Sequence, residues 1–283
     1  MKIHAFLMPR LEAELSPVMR ELFSRLARAG CDVSWSIGEQ HAYEPAGMRV
    51  EHDLYLLKSH APAALSLAGV LDAQGASVLN PVGSCLAAQD KVVASARLAA
   101  FAVPTPRTWA SAEPARLART VGGGALVVKP YNGYHGTGVA FLDHGEELRV
   151  LPATDTAVIV QERILGDHDL KVYVIGEEVF GVRKAFDPTS HGRAGRAVAL
   201  SPEVELVARH CGAAFGFGLY GIDVVETDLG PVVIDVNHFP GYKGVPDAAE
   251  RLCAYVLEFV DGSITLGLPP LPSTNRALVR VTS

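Results

Sequence analysis

The chain has 283 residues, of which 49% are apolar and 20% charged, with a formal net charge of −6. That balance excludes wholesale disorder and argues against a nucleic-acid binder, which carries a basic stripe. The length allows one large or two small domains. No apolar run approaches the roughly 18 residues of a membrane span, and Cys31, Cys85, Cys211 and Cys253 lie far apart with no CxxC, so the sequence reads as a cytoplasmic protein with free thiols and no zinc site.

Residues 3–8 form a short apolar run suited to a buried strand. Ser16-Pro17 then supplies an N-cap and a proline for the first helical position. Met19, Leu22, Phe23 and Leu26 follow at spacings of three and four, and Gly30 closes that helix. Strands are expected at 32–37, 53–57 and 77–79, with a helix at 61–74. This alternation implies a parallel, right-handed sheet, so a small N-terminal α/β domain is placed at residues 1–85.

One helix over 89–101 links it to a second region, and Pro104 and Pro106 end that helix. Strands at 125–128, 139–142 and 158–164 follow, with a short helix near 146–150, giving a central unit at 86–164. From Asp169 the pattern changes to hairpins. The runs 171–175 and 179–185 are separated by Gly176-Glu177-Glu178, and 221–226 and 232–236 by Thr227-Asp228-Leu229-Gly230. Helices at 203–215 and 247–259 complete a C-terminal unit at 165–283. Its tail, with Pro269, Pro270 and Pro272, reads as a loosely attached extension.

The strongest chemical constellation is Gly221-Ile222-Asp223 with Val233-Ile234-Asp235-Val236-Asn237. Asp235 and Asn237 are two apart, so on a strand they share a face, and Asp223 on the partner strand reaches it too. Two carboxylates and an amide oxygen suit Mg²⁺ that also contacts phosphate, with Mn²⁺ as the alternative cation. Each carboxylate is flanked by Ile or Val, where an unpaired charge would be costly to bury.

Val127-Val128-Lys129-Pro130 ends a strand with a lysine, and Gly133, Gly136 and Gly138 follow in a turn. Backbone N–H groups there can approach a phosphate closely. This is neither a P-loop nor a GxGxxG turn. Gln161-Glu162-Arg163-Ile164 leaves another strand, where exposed backbone groups can read an adenine edge. Glu162 or a later Asp would hold ribose hydroxyls, and Lys171 a phosphate. Arg183, Lys184, His191, Arg193 and Arg196 form a basic run in an acidic protein. That run suggests an anionic substrate site, with Arg183 nearest the chemistry. No GxSxG or HExxH offers another mechanism.

The order is Lys91 after Asp90, then VVKP, a Gly-rich turn, QERI, a D-L-K hairpin, GID and DVN-x-x-PG. It resembles the ATP-grasp superfamily over most of the chain. The resemblance implies an α/β plus α+β architecture, in which a small N-terminal parallel α/β domain precedes two α+β subdomains that grip ATP and Mg²⁺. Carried over, Lys91 and Lys129 contact ATP phosphates, and Gly136 and Gly138 belong to the phosphate turn. Glu162 and Ile164 frame the adenine, Gln161 and Arg163 belong to the same cofactor-binding segment, and Asp169 takes the ribose. Lys171 faces the terminal phosphate, and Asp223, Asp235 and Asn237 bind the metal.

Two branches of the superfamily compete. RimK-type carboxylate–amine ligases resemble the central and C-terminal parts. In them an Arg opening a loop comparable to 183–201 assists the substrate, although their Ser-Asn pair is missing from this loop. Such an enzyme would join a small anionic substrate to an amine through an acylphosphate, with Arg183 and Lys171 catalytic and His191, Arg193 and Gly241 near the substrate. Inositol trisphosphate kinases resemble the stretches around Lys58, His135 and 235–245, and there Lys58 and His135 would hold substrate phosphates. The basic loop, in length and position, favours the ligase.

Overall fold

The computed structural model describes residues 1–8, 15–131, 138–166, 169–184 and 195–272. The first sheet is parallel, with strands β1 (Lys2–Phe6), β2 (Asp32–Ser36), β3 (Leu54–Leu57) and β4 (Val78–Leu79) in the order β2-β1-β3-β4. All four β3 residues are buried, as expected for a strand covered on both faces. Helix α1 (Pro17–Arg28) buries the expected Met19, Leu22, Phe23 and Leu26, and the Ser16 hydroxyl accepts from Met19 N at 3.3 Å. Helix α2 (Pro62–Ala73) covers the opposite face, where Leu65, Leu67 and Leu71 join a core shared with Phe6 and Tyr55.

Two helices follow; the second matches the helix expected at 89–101, and the first was not anticipated. Helix α3 (Val82–Gln89) ends and α4 (Lys91–Ala100) begins on either side of Asp90, whose carboxylate accepts from Val92 N and Val93 N at 2.9 and 3.0 Å. A side chain that caps two orphan N–H groups sets where the second helix starts.

The second sheet is antiparallel, with β5 (Thr108–Ser111), β6 (Leu126–Pro130), β7 (Ala140–Leu142) and β8 (Val158–Glu162) in the order β5-β8-β6-β7. It has its own small core around Leu126, Val128, Leu148 and Val160. The expected helix near 146–150 is a 3₁₀ turn, Gly145–Val150, and β5 was not anticipated.

The third sheet contains β9 (Asp169–Ile175), β10 (Glu178–Lys184), β11 (Arg196–Val198), β12 (Leu219–Thr227) and β13 (Gly230–His238), in the order β11-β10-β9-β12-β13. Leu170, Val172, Ile222 and Val224 bury one face against α5 (Pro202–Phe215). On the other face, Tyr173, Ile175 and Leu219 lie under Tyr242 and α6 (Ala248–Val260), which also packs on α1. Asn80, after β4, joins the first sheet to the third. Its Nδ2 donates to Leu219 O at 2.6 Å, and its Oδ1 accepts from Gly218 N and Leu219 N, both at 3.0 Å.

The tail is attached at residues 267–269, contrary to the expectation of a loose extension. Arg97 on α4 is buried between the Phe101 and Phe215 rings and donates to Ala214 O at 2.9 and 2.6 Å and to Pro269 O at 2.6 Å. Gly216, which ends α5 at φ +63°, lies so close to the tail that a Cβ would sit 1.9 Å from Gly267 O.

Candidate functional site

The third sheet turns a charged row toward the second. Val182, Lys171, Asp223 and Asp235 lie opposite one another on neighbouring strands, so their side chains share one face. A β-bulge makes this possible. Pairing passes from Asp223–Asp235 to Val224–Val233, leaving Ile234 as the extra residue. Val233 and Val236 therefore both enter the core, while Asp235 and Asn237 point away from it.

Lys171 Nζ contacts Asp223 Oδ1 and Oδ2 at 2.7 and 2.8 Å. Lys91, the first residue of α4, donates to Asp235 Oδ1, and Asn237 Nδ2 lies 3.3 Å from Asp235 Oδ2. Across the cleft, Lys129 and Ile159 pair on β6 and β8 and face the same way, and Lys129 Nζ lies 3.4 Å from Ile234 O. Lys91, Ser95, Leu98, Lys129, Gln161 and Asp235 line the space between. Burial pushes the Asp235 carboxyl upward, but the Lys91 and Lys129 ammonium groups and the Val236 N–H outweigh it and hold Asp235 below the usual carboxylate range. Burial lowers the Lys129 ammonium, opposed by Asp235.

Among the described residues, no three His, Cys, Asp or Glu side chains form a metal-holding group. Asp223, Asp235 and Asn237 instead offer two carboxylates and an amide oxygen, a partial hard shell of the kind Mg²⁺ completes with phosphate oxygens and water. Two half-buried carboxylates, each already in contact with an ammonium group, fit such a cation.

Not every expected residue reaches this cleft. Of the QERI segment, Gln161 lines it, with Nε2 3.0 Å from Thr108 Oγ1. Glu162 shares Leu126's face and lies 3.6 Å from Arg107. Arg163 stacks 5.0 Å from the Phe141 ring, and Ile164 is half-buried beyond the strand end. Gly138, at φ +73°, is required, because a Cβ there would meet Pro130 Cγ at 2.8 Å. Lys58 sits 5.5 Å from the ring of Phe239, the residue after β13, and Gly241 follows β13 in a loop. His135, Gly136, His191 and Arg193 lie outside the described residues, as does the side chain of Asp169.

The placement of Arg183 is a correction. It shares a row with the buried Leu170 and Val224, on the α5 face, and pairs with Glu226 at 2.6 Å. A three-residue connection after Ile175 would have set Arg183 opposite Lys171. The connection is Gly176-Glu177 alone, Ile175 pairs with Glu178, and Val182 takes that place. One residue of register exchanges the two faces of a strand.

Sequence reasoning also missed two histidines at the seam of the first and third sheets. His60 and His238 have ring centroids 4.1 Å apart, and His238 Nε2 lies 3.2 Å from Ser59 O. Their separation in sequence leaves no local signal.

Residues 88–256, more than half of the chain, match the family model of the RimK-like ATP-grasp domain. Among curated proteins, the chain is 29% identical over 192 residues to a probable alpha-L-glutamate ligase of Saccharophagus degradans, covering 62% of this chain and 64% of that protein. It is 27% identical over 190 residues to one of Shewanella loihica, covering 61% and 63%. The chain thus spans less than two thirds of the length of these relatives. A RimK domain ATP-grasp protein of Sphaerobacter thermophilus superposes with TM-score 0.73 at 20% identity, over 91% of this chain and all of that one. A D-cycloserine synthetase superposes with TM-score 0.71 at 18% identity, over 91% and 99%. These likenesses establish an ATP-grasp fold. No helix among the described residues is long and apolar enough to cross a membrane.

Proposed function

This chain belongs to the RimK-like ATP-grasp family, and from that premise we propose that it is an ATP- and Mg²⁺-dependent carboxylate–amine ligase acting on a small anionic substrate. One observation carries the reading: Lys91–Asp235 and Lys171–Asp223 converge on one cleft with Asn237 and Lys129. Such a set holds its own charges in balance until phosphates take the lysines and a cation takes the carboxylates. Asp223, Asp235 and Asn237 would hold Mg²⁺, which supplies charge neutralisation at the phosphate oxygens. Lys91 and Lys129 would hold the phosphates from the two sides of the cleft, and Lys171 would face the terminal one.

The substrate carboxylate oxygen attacks the terminal phosphorus, and the bond to ADP breaks, leaving an acylphosphate. The amine then attacks the acyl carbon, its C–O bond breaks, inorganic phosphate leaves and the amine proton passes to solvent. The second sheet, as a cover, excludes water that would hydrolyse the acylphosphate. The names of the curated relatives make L-glutamate the first amine to try.

The test is release of ADP and phosphate from MgATP with panels of acids and amines. Release of both products that requires an acid and an amine together supports the ligase. ADP without free phosphate, on a polyol alone, would overturn it in favour of phosphoryl transfer to a hydroxyl.

A further inference from the structure

Asp90 and Tyr131 meet beside the segments that carry Lys91 and Lys129, outside the set of groups assigned to metal or phosphate. Capping α4 uses Asp90 Oδ1 alone, with Val92 N and Val93 N as donors. The other carboxylate oxygen, Oδ2, accepts the Tyr131 hydroxyl, 41 residues further along the chain. Each partner adjoins a cleft lysine. Lys91 follows Asp90 directly, and only Pro130, whose φ is fixed, separates Tyr131 from Lys129. Tyr131 also follows directly on β6, which ends at Pro130.

Half-exposed, Tyr131 belongs to none of the three hydrophobic cores, so its hydroxyl has no burial to serve. The hydrogen bond to Asp90 raises that hydroxyl above the ordinary tyrosine range. Among the described residues, Lys91 and Lys129 themselves each reach β13, at Asp235 and at Ile234 O.

We propose that the Asp90–Tyr131 hydrogen bond is a clasp that sets the spacing of Lys91 and Lys129, making both partners positioning residues for the nucleotide's phosphates. This rests on the nucleotide-site reading above. A charge-assisted bond that holds two segments together loses its effect when either end is removed, so the two partners must act as one unit.

The experiment is calorimetric binding of AMPPNP with Mg²⁺ to the full chain and to Tyr131→Phe, Asp90→Ser and the double variant. Serine keeps an N-cap acceptor for α4 but has no second oxygen to take the Tyr131 hydroxyl, so the fold is retained and the clasp is lost. Tyr131→Phe should raise Kd for MgAMPPNP about 10-fold in the wild-type background and less than about 3-fold in the Asp90→Ser background. Kd for AMP, which lacks the outer phosphates, should move less than about 2-fold, a split that general loosening of the fold would not produce. Unchanged MgAMPPNP affinity in Tyr131→Phe overturns the clasp alone, as does an equal effect in both backgrounds. Absence of MgAMPPNP binding by the wild-type protein overturns the nucleotide-site reading and the clasp with it.

Discussion

Lys171 meets Asp223 across two adjacent strands of one sheet, whereas Lys91 meets Asp235 only because a helix that begins 144 residues earlier is carried to that sheet's edge. The first pair is fixed by backbone register, so the ladder that makes the sheet also makes the contact. The second depends on everything that holds α4 in place: the Asp90 cap, the buried Arg97 and the tail that Arg97 grips. One half of the cleft is thus as rigid as its sheet. The other half is adjustable through tertiary contacts remote from it.

The most severe way to break this arrangement is to remove the carboxylate where its two halves meet. Asp235→Ala should reduce Mg²⁺-dependent ADP release by about 10³-fold or more while far-UV circular dichroism stays native, since the side chain lies on the cleft face and not in the core. Full turnover in a folded variant would sink the metal assignment.

Arg97→Met tests the adjustable half. It leaves the carbonyls of Ala214 and Pro269 without their buried donor, and urea unfolding should show a loss of about 3 kcal/mol. MgAMPPNP affinity should fall with it, because α4 carries Lys91. If affinity holds while stability drops, α4 is fixed without the tail.

The smallest expected effect lies in the first sheet, which supplies neither pair. His4 contacts Ser34 Oγ and Ser36 Oγ at 2.8 Å each, and burial, with His52 and His41 nearby, pushes it down to about 4. The unfolded chain protonates this imidazole near 6.5. Its contribution to stability is therefore complete above about pH 6.5 and is lost as pH falls toward 4. His4→Gln should flatten part of the slope of urea midpoint against pH in that window. MgAMPPNP affinity at pH 7.5 should be unmoved.

The same contrast explains what could be read from the residues alone. Asp235 and Asn237 sit two apart in an apolar run, and a strand has only one way to arrange that spacing. Asp223 followed because the intervening turn is short. Arg183 was misplaced because its face depends on whether the preceding connection has two residues or three, which Gly176-Glu177-Glu178 does not settle by composition. Helix α3 was missed because what it buries, Val82, Ser84, Cys85, Ala87 and Ala88, is mostly small and gives little apolar periodicity. Strands β5 and β11 are short edge strands with little burial of their own. The grip of Arg97 on Pro269 spans 172 residues, a separation no local pattern reports.

That long span bears on how the protein matures during synthesis. Residues 91–100 leave the ribosome early, yet the carbonyl that completes the Arg97 anchor belongs to residue 269. At elongation rates of about 5–20 residues per second, this interval is on the order of ten to thirty seconds. Throughout it α4 lacks its final restraint, and the adjustable half of the cleft stays unset. The Lys171–Asp223 half needs only the chain as far as β12. Competence to bind nucleotide tightly should therefore arrive late and abruptly on the growing chain, when the tail closes over Gly216.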